Sequence, residues 1–156
     1  MKEAIIAPAS PDHIDAIVSL LPRLADFTVP GHRDPADLWQ GDAAMLRAWA
    51  NGHRDDLTVV AASGSSGELL GVAAASEREE LLTHAASAHL EVLAVASAAE
   101  GQGLGRQLLA SIEQAMRDKG ARGMSLHVFG NNTRARALYS QAGFDEEIIR
   151  CFKPFY

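Results

Sequence analysis

The spacing of apolar residues in the first half of the chain predicts a strand, two helices and a β-hairpin. A short apolar run over 3–7 precedes Ser10 and Pro11, a pair that favours the start of a helix. Asp34 and Pro35 repeat this start signal before a second helix. The inner positions of the helices are Ile14, Ile17, Val18 and Leu21, then Leu38, Met45, Leu46 and Trp49, and the strands of the hairpin are 57–62 and 69–75, with turn-forming residues between them.

The second half of the chain alternates strands with helices. Because this alternation is absent from the first half, we expect a mixed sheet flanked by helices, in a single domain over 1–156. The predicted strands are 89–95, 124–129 and 144–155, the helices are an amphipathic one that ends at Gly120 and a short one over 132–142, and 77–88 predicts only strand ends and a loop.

Composition narrows the class of protein. With 156 residues, 47% of them hydrophobic, the chain is long enough to build one core without metal or disulfide support. It has neither the apolar segment of a signal peptide nor a membrane-spanning run, so we expect a soluble, cytoplasmic protein. A formal charge of -6 disfavours nucleic-acid binding through phosphate neutralisation. The single cysteine, Cys151, lies in an apolar run and is predicted to be buried.

A glycine-rich segment directly before the amphipathic helix carries the first chemical signal. It reads Glu100-Gly101-Gln102-Gly103-Leu104-Gly105-Arg106. Glycines leave backbone N–H groups accessible beside the positive end of the helix dipole, an arrangement typical of an anion site and best suited to a pyrophosphate. The spacing fits neither the dinucleotide fingerprint nor the P-loop. A tight turn that binds nothing explains the glycines alone equally well.

A downstream segment favours the anion site over the simple turn. Asn132-x-x-Ala135-x-x-Leu138-Tyr139-x-x-x-Gly143-Phe144, together with Glu100-x-x-Gly103-x-Gly105 before it, closely resembles the two signatures of the GNAT superfamily of N-acetyltransferases. The resemblance covers 90–144, about a third of the chain. Glu100 departs from it, because the family has Gln or Arg at this position. A carboxylate that faced the phosphates would lower the affinity for them.

The resemblance implies a twisted, mostly antiparallel sheet of six or seven strands with a splayed parallel central pair, flanked by about four helices. It also implies acetyl-CoA as cosubstrate, with its pantetheine arm on the backbone of the first splayed strand and its pyrophosphate on the glycine loop. We assign no metal, because the histidine spacings match no zinc motif. The residues expected to bind the cosubstrate are Leu93, Ala94, Val95, Glu100, Gly101, Gln102, Gly103, Leu104, Gly105, Arg106, Asn132 and Tyr139, and Arg134 and Arg136 are nearby cations that serve equally well as solvated helix charges.

Two side chains are candidates for catalysis. Tyr139 occupies the position from which the family protonates the departing thiolate, and the alternative is that it only packs on one helical face. Glu91 is the first candidate to accept a proton from the attacking amine, directly or through water, and a solvent-facing strand charge is the alternative. Strand alternation puts His89, Glu91 and Leu93 on one face. Asn132 caps a helix in any fold and contacts CoA in the family.

The resemblance implies direct transfer of acetyl from acetyl-CoA to a primary amine of a small molecule or peptide. The main alternative is a non-catalytic acyl-CoA binding or sensing domain of the same fold, in which an equivalent of Tyr139 would be lost. A second alternative is an interaction domain whose glycine loop binds nothing. Residues 27–34, with Trp39, correspond to the region that covers the acceptor pocket in the family, but they do not identify the acceptor. We expect a monomer or a homodimer without nucleic-acid or membrane partners.

Overall fold

The computed structural model describes residues 3–156 and contains one sheet of five strands. Neighbouring strands are antiparallel except for the last pair, which is parallel. The predicted mixed, mostly antiparallel sheet with a parallel pair is therefore confirmed. In chain order, which is also their order in the sheet, the strands are β1 (Ile5–Pro8), β2 (Leu57–Ser63), β3 (Leu69–Glu79), β4 (Ala86–Val95) and β5 (Met124–Leu126).

Within residues 3–156 four α-helices flank the sheet, in agreement with the number that the resemblance implies. The start signals act as expected, because the side chains of Ser10 and Asp34 accept hydrogen bonds from the amides of Asp12 and Ala36, at 3.3 Å and 3.0 Å. Each of these caps begins a short 3₁₀ turn that precedes a helix. The helices are α1 (Ile14–Leu20), α2 (Gln40–Ala50), α3 (Leu104–Asp118) and α4 (Thr133–Gln141), and the 3₁₀ turns are Pro11–His13, Leu21–Ala25, Pro35–Leu38 and Ser97–Ala99.

The two faces of the sheet each bury an apolar core. On one face α3 packs its fully buried Leu108 and Ile112 against small residues of the central strands, such as Ala73. On the other face α1 and α2 place Ile17 and Leu46 against the alternate residues of the same strands. Because neighbouring strand residues point to opposite faces, β3 and β4 contribute to both cores and become the most buried part of the sheet.

The parallel pair β4–β5 is short and then opens. Its register contains only three residue pairs, from Ala88 with Met124 to Leu90 with Leu126. Beyond Leu90, β4 continues to Val95 and pairs only with β3. The sequence predicts that β5 extends to Phe129, but in the structure it ends at Leu126. Residues 91–95 therefore have an edge that no strand of the described chain occupies, which is the splay that the sequence implies.

A β-bulge at Glu91 changes the direction of the side chains along β4. Leu90 pairs with Ala75 and Val92 with Ala74 of β3, so Glu91 is the extra residue between them. Leu93 consequently packs with the α3 core, whereas Glu91 bonds to Ser76 on the face covered by α1 and α2. The expectation that Leu93 shares a face with His89 and Glu91 is wrong, because strict alternation does not continue through a bulge.

The C-terminal segment does not join the sheet. The predicted strand over 144–155 is wrong, and the described residues form five strands instead of six or seven. Pro154 has no N–H to donate to a strand ladder, and the adjacent residues Ile148 and Ile149 could not both face the core from one strand. Cys151 is exposed, so its predicted burial is also wrong. Large apolar side chains exposed in this segment are Ile148, Ile149, Phe152, Phe155 and Tyr156.

We expect Gly71→Ala to destabilise the fold by about 1–3 kcal/mol, because the added Cβ has no room. That atom would lie 2.6 Å from Leu108 Cδ1 and 3.1 Å from the backbone oxygen of Ala94. Urea unfolding followed by circular dichroism measures the change. Gly41→Ala in α2 is the matched control, since its Cβ meets nothing within 4 Å. Equal stability of the two variants would contradict the close packing of α3 on β3.

Candidate active site

The glycine loop before α3 presents backbone donors to one concavity. Gly101 and Gly103 both have φ +75°, a left-handed conformation in which side chains are strained, and nothing lies within 4 Å of a Cβ built on either. Gly103 is the N-cap of α3, whose first amides have no acceptor inside the helix. Among residues 3–156 the amides of Gly101, Gln102 and Gly103 also donate to no protein acceptor. This open cradle fits a pyrophosphate.

Gly105 brings the two sequence signatures together. A Cβ on this residue would lie 3.6 Å from Leu138 Cδ2 of α4 and 3.8 Å from Val95 Cγ2 at the end of β4. A Cβ here would make only ordinary van der Waals contacts, so these distances show that the first turn of α3 lies next to both elements. The loop, the open end of β4 and the helix that carries Tyr139 are therefore neighbours in the fold.

Tyr139 lies beside this cradle with its ring packed and its hydroxyl unpaired. The ring contacts Phe144 edge-on, with centroids 5.9 Å apart, and joins the α3 core. Among residues 3–156 no group hydrogen-bonds to the hydroxyl, although the oxygen is not sealed from solvent. Burial raises the pKa of Tyr139 to about 12, so the hydroxyl keeps its proton at neutral pH. It is therefore a proton donor without a partner in the protein.

Asn132 is the N-cap of α4, as the sequence predicts. Its side-chain oxygen accepts a hydrogen bond from the amide of Ala135 at 3.3 Å. The cap fixes where α4 begins and hence the direction in which Tyr139 points. The expected contact of Asn132 with the cosubstrate stays a prediction.

Glu91 and His89 lie on the opposite face of β4, within a polar group of side chains. Glu91 Oε1 accepts hydrogen bonds from Ser76 Oγ at 2.7 Å and from Arg78 Nη2 at 2.6 Å, and its side chain is 14% exposed. His89 Nδ1 lies 2.8 Å from Ser125 Oγ, and its ring centroid is 4.9 Å from that of His127. Burial, and then the charge of Arg78, lowers the pKa of His89, so its imidazole is neutral near pH 7.

The sequence did not single out Asp42, which lies near Glu91. It is in the first turn of α2, four residues before the fully buried Leu46 and thus on the same helical face. Burial, and then the negative charge of Glu91, raises the pKa of Asp42 to about 6. Many helices carry an aspartate in the first turn, so the sequence does not mark Asp42 as unusual. Only the folded chain places its carboxylate near that of Glu91.

A set of aromatic and cationic side chains from residues 27–34 and the C-terminal segment packs beside the chain that follows β5. The ring centroids of Phe27 and Phe129 are 5.5 Å apart. The side-chain amide of Asn131 donates a hydrogen bond from Nδ2 to the backbone carbonyl of Thr28 at 2.6 Å. Residues 27–34 therefore contact the chain that follows β5, and their expected role over the acceptor pocket stays a prediction. The C-terminal segment joins this wall where Phe152 stacks on His32 at 5.5 Å and lies beneath the guanidinium of Arg33 at 4.7 Å.

The charged residues of the first signature are engaged with other side chains. The carboxylate of Glu100 forms ion pairs with Arg23 and with Arg134, the latter at 3.2 Å. Arg106 instead donates to Gln141 at 2.7 Å across to α4. Glu100 is thus neutralised in the fold, and the expected repulsion of phosphates by its carboxylate is offset.

Residues 3–156 contain no group of three or more His, Cys, Asp and Glu side chains that could hold a metal ion. No helix in this part of the chain has the length and apolar character needed to cross a membrane.

Comparison with known sequences finds acetyltransferases. The model of the acetyltransferase (GNAT) family matches residues 22–144. An uncharacterized N-acetyltransferase, YycN of Bacillus subtilis, is 52% identical over 46 residues, which are 30% of each chain. The mycothiol acetyltransferase of Beutenbergia cavernae is 45% identical over 53 residues, 34% of this chain and 18% of that protein. The matched segments thus span less than a third of these curated relatives.

Solved structures share the fold over nearly the whole chain. A putative acetyl transferase from Pyrococcus furiosus superposes with a TM-score of 0.78 at 19% identity, covering 98% of this chain and 100% of that one. The aminoglycoside N-acetyltransferase AAC(6')-Iy in complex with CoA gives a TM-score of 0.74 at 23% identity, covering 99% and 96%. At these identities the likeness concerns the fold.

We expect Asp42→Asn to raise the melting temperature at pH 8 and to change it little near pH 4. The folded-state pKa of Asp42 is raised to about 6, so its contribution to stability is complete only below the unfolded-state value of 3.8 and is lost as pH rises through 6. Asn removes the buried charge that burial and Glu91 oppose at pH 8. Differential scanning calorimetry at both pH values tests this, with the exposed Asp55→Asn as control. An equal shift at both pH values would contradict the raised pKa of Asp42.

Proposed function

Because the chain belongs to the GNAT acetyltransferase family, we propose that it transfers an acetyl group from acetyl-CoA directly to a primary amine of a small molecule or peptide. The observation that carries the proposal is the convergence of an open amide cradle, an open strand edge and an unpaired tyrosine hydroxyl at the parting of β4 and β5. The presence of Tyr139 beside the cradle favours an enzyme over a domain that only binds an acyl-CoA.

The cosubstrate would be held mainly by main chain. The edge of Leu93, Ala94 and Val95 that no strand of residues 3–156 occupies suits an extended pantetheine arm, with the Val95 carbonyl already held by Arg23, and the amides of the loop 101–106 suit its pyrophosphate. Acetyl-CoA supplies an activated acyl thioester and a thiolate leaving group. Since transfer is direct, no protein nucleophile is needed, and the exposed Cys151 takes no part.

Tyr139 is proposed to donate its proton to the departing thiolate. Its hydroxyl stays protonated at neutral pH because burial raises its pKa to about 12. Ring packing against Phe144 and capping of α4 by Asn132 fix the direction of the donor. A positioned donor of this kind contributes about 10²–10⁴-fold to rate.

Glu91 and Asp42 are proposed to receive the acceptor amine. The carboxylates of Glu91 on β4 and of Asp42 on α2, which covers the same face, would attract a cationic ammonium group. One of the two carboxylates must remove a proton from this ammonium group before the amine attacks. Glu91 serves directly or through water, while Arg78 and Ser76 hold its carboxylate in place. Proteins of similar fold include an aminoglycoside N-acetyltransferase, which supports a small cationic amine as acceptor.

Gly103→Trp should abolish the binding of acetyl-CoA by obstructing the amide cradle. Isothermal titration of the purified protein measures the affinity, for which we expect micromolar values in the natural protein. Gly52→Trp is the matched control, because Gly52 has φ +79° and equally open surroundings but lies in the turn after α2. Absence of binding by the natural protein would overturn the proposed function.

Tyr139→Phe and Glu91→Gln should each lower kcat by about 10²-fold and leave the affinity for acetyl-CoA nearly unchanged, since both groups act on protons. Thiolate release with a library of primary amines measures the rates. Tyr156→Phe is the control for the loss of a phenol, because Tyr156 is fully exposed in the C-terminal segment. Full activity of Tyr139→Phe would leave the ring with a packing role only.

A further inference from the structure

The glycine loop begins with an acidic residue that forms ion pairs with two arginines. Glu100 is paired with Arg23 and with Arg134, whose Nη1 lies 3.2 Å from Glu100 Oε1. The two partners come from distant parts of the chain, since Arg23 lies in the 3₁₀ turn Leu21–Ala25 and Arg134 in the first turn of α4. Arg23 is shared with Asp26, so at the entrance to the amide cradle two cations lie beside two carboxylates.

Arg23 is fully engaged with protein acceptors. Its Nε donates to the carbonyl of Val95 at 3.1 Å, its Nη1 to Asp26 at 2.5 Å, and its Nη2 to Glu100. The side chain is only 25% exposed. Arg23 thus fastens the segment before 27–34 to the end of β4 and to the loop, and it has little capacity left for a ligand.

Arg134 is in the opposite situation. Its side chain is 71% exposed, and Glu100 is its one partner among residues 3–156. The other two cations near the signatures are held elsewhere, because Arg106 bonds to Gln141 and Arg136 bonds to Glu146 and to the carbonyl of Gly130. Arg134 is therefore the cation that is both tethered to the loop and free to turn towards a ligand.

We propose that Arg134 binds the diphosphate of acetyl-CoA and that Glu100 is a positioning residue that holds its guanidinium at the loop. Glu100 at the start of the loop brings no cation to the cradle, and Arg134 supplies one from α4. Arg23 balances the charge of Glu100, so the carboxylate orients Arg134 without repelling the phosphates. A guanidinium matches the geometry of phosphate oxygens and forms strong, charge-assisted hydrogen bonds with them.

Because the inference rests on the proposed function, its test separates the two. Isothermal titration with acetyl-CoA should show binding about tenfold weaker for Arg134→Gln than for the natural protein, as expected for one charge-assisted hydrogen bond. The same loss should occur with acetyl-dephospho-CoA, which retains the diphosphate but lacks the 3′-phosphate. Binding by Arg134→Gln should also depend less on ionic strength between 50 and 200 mM salt, about the range over which exposed charges become screened. Arg117→Gln, an exposed arginine in the last turn of α3 and so at the far end from the loop, is the matched control and should bind normally.

The role of Glu100 is tested by a double-mutant cycle. Because Glu100 acts by holding the guanidinium of Arg134, Glu100→Gln alone should weaken binding of acetyl-CoA to about the level of Arg134→Gln, whereas adding it to Arg134→Gln should change the affinity by less than about threefold. Melting temperatures should stay unchanged for Arg134→Gln, since exposed ion pairs contribute little to stability.

Failure of the natural protein to bind acetyl-CoA would overturn the proposed function. Normal binding with no effect of Arg134→Gln, an effect seen only when the 3′-phosphate is present, or a Glu100→Gln effect that is absent in the natural protein or equal in both backgrounds would each overturn the inference alone.

Discussion

Hydrogen bonding between β4 and β5 ends at Leu90 and Leu126, and the rest of the site depends on the space that opens there. Past this point β4 is still held straight by β3 on its other side, so an unpaired edge is kept rigid. Such an edge is normally a liability, because its free donors and acceptors pair with any extended chain. Here the glycine loop, α4 and residues 27–34 surround it, which limits access to a ligand that fits between them.

The two sides of this opening differ in charge. On the α2 side Asp42 and Glu91 outnumber the one paired cation, Arg78, whereas on the loop side Arg23 and Arg134 balance Glu100 and Asp26 beside the open amides. A formal charge of -6 for the whole chain conceals this separation. Local fields of opposite sign would direct an anionic cosubstrate and a cationic acceptor to opposite sides of β4, so that neither blocks the other.

Arg23 connects the two sides mechanically. It fastens the turn before residues 27–34 to the carbonyl of Val95 and to Glu100, so the covering segment, the strand edge and the loop share one side chain. Because the three contacts use separate N–H groups of one planar guanidinium, a displacement of any partner changes the geometry of the others. The segment that covers the acceptor side is thereby linked to the loop proposed to hold the cosubstrate.

Local chemistry explains which predictions succeed. The caps Ser10, Asp34 and Asn132 act on amides two or three residues away, so their neighbours in sequence suffice to predict them. The prediction of a final strand was wrong because a strand needs a partner strand to pair with, which apolar content alone does not provide. The predicted direction of the Leu93 side chain was wrong because a bulge depends on the register between two strands, and the sequence of one strand does not determine that register.

The sequence by itself determined the order of the helices and most strands, the glycine loop and the two signatures, since each arises from residues close together in the chain. Only the tertiary structure decided that the carboxylate of Asp42 lies near that of Glu91 and that the hydroxyl of Tyr139 has no partner among residues 3–156. It also decided that Glu100 forms ion pairs with Arg23 and Arg134. These contacts join residues far apart in sequence, and their geometry is set by how helices pack on the sheet. Burial and charge neighbours, which control pKa and ion pairing, exist only once that packing has formed.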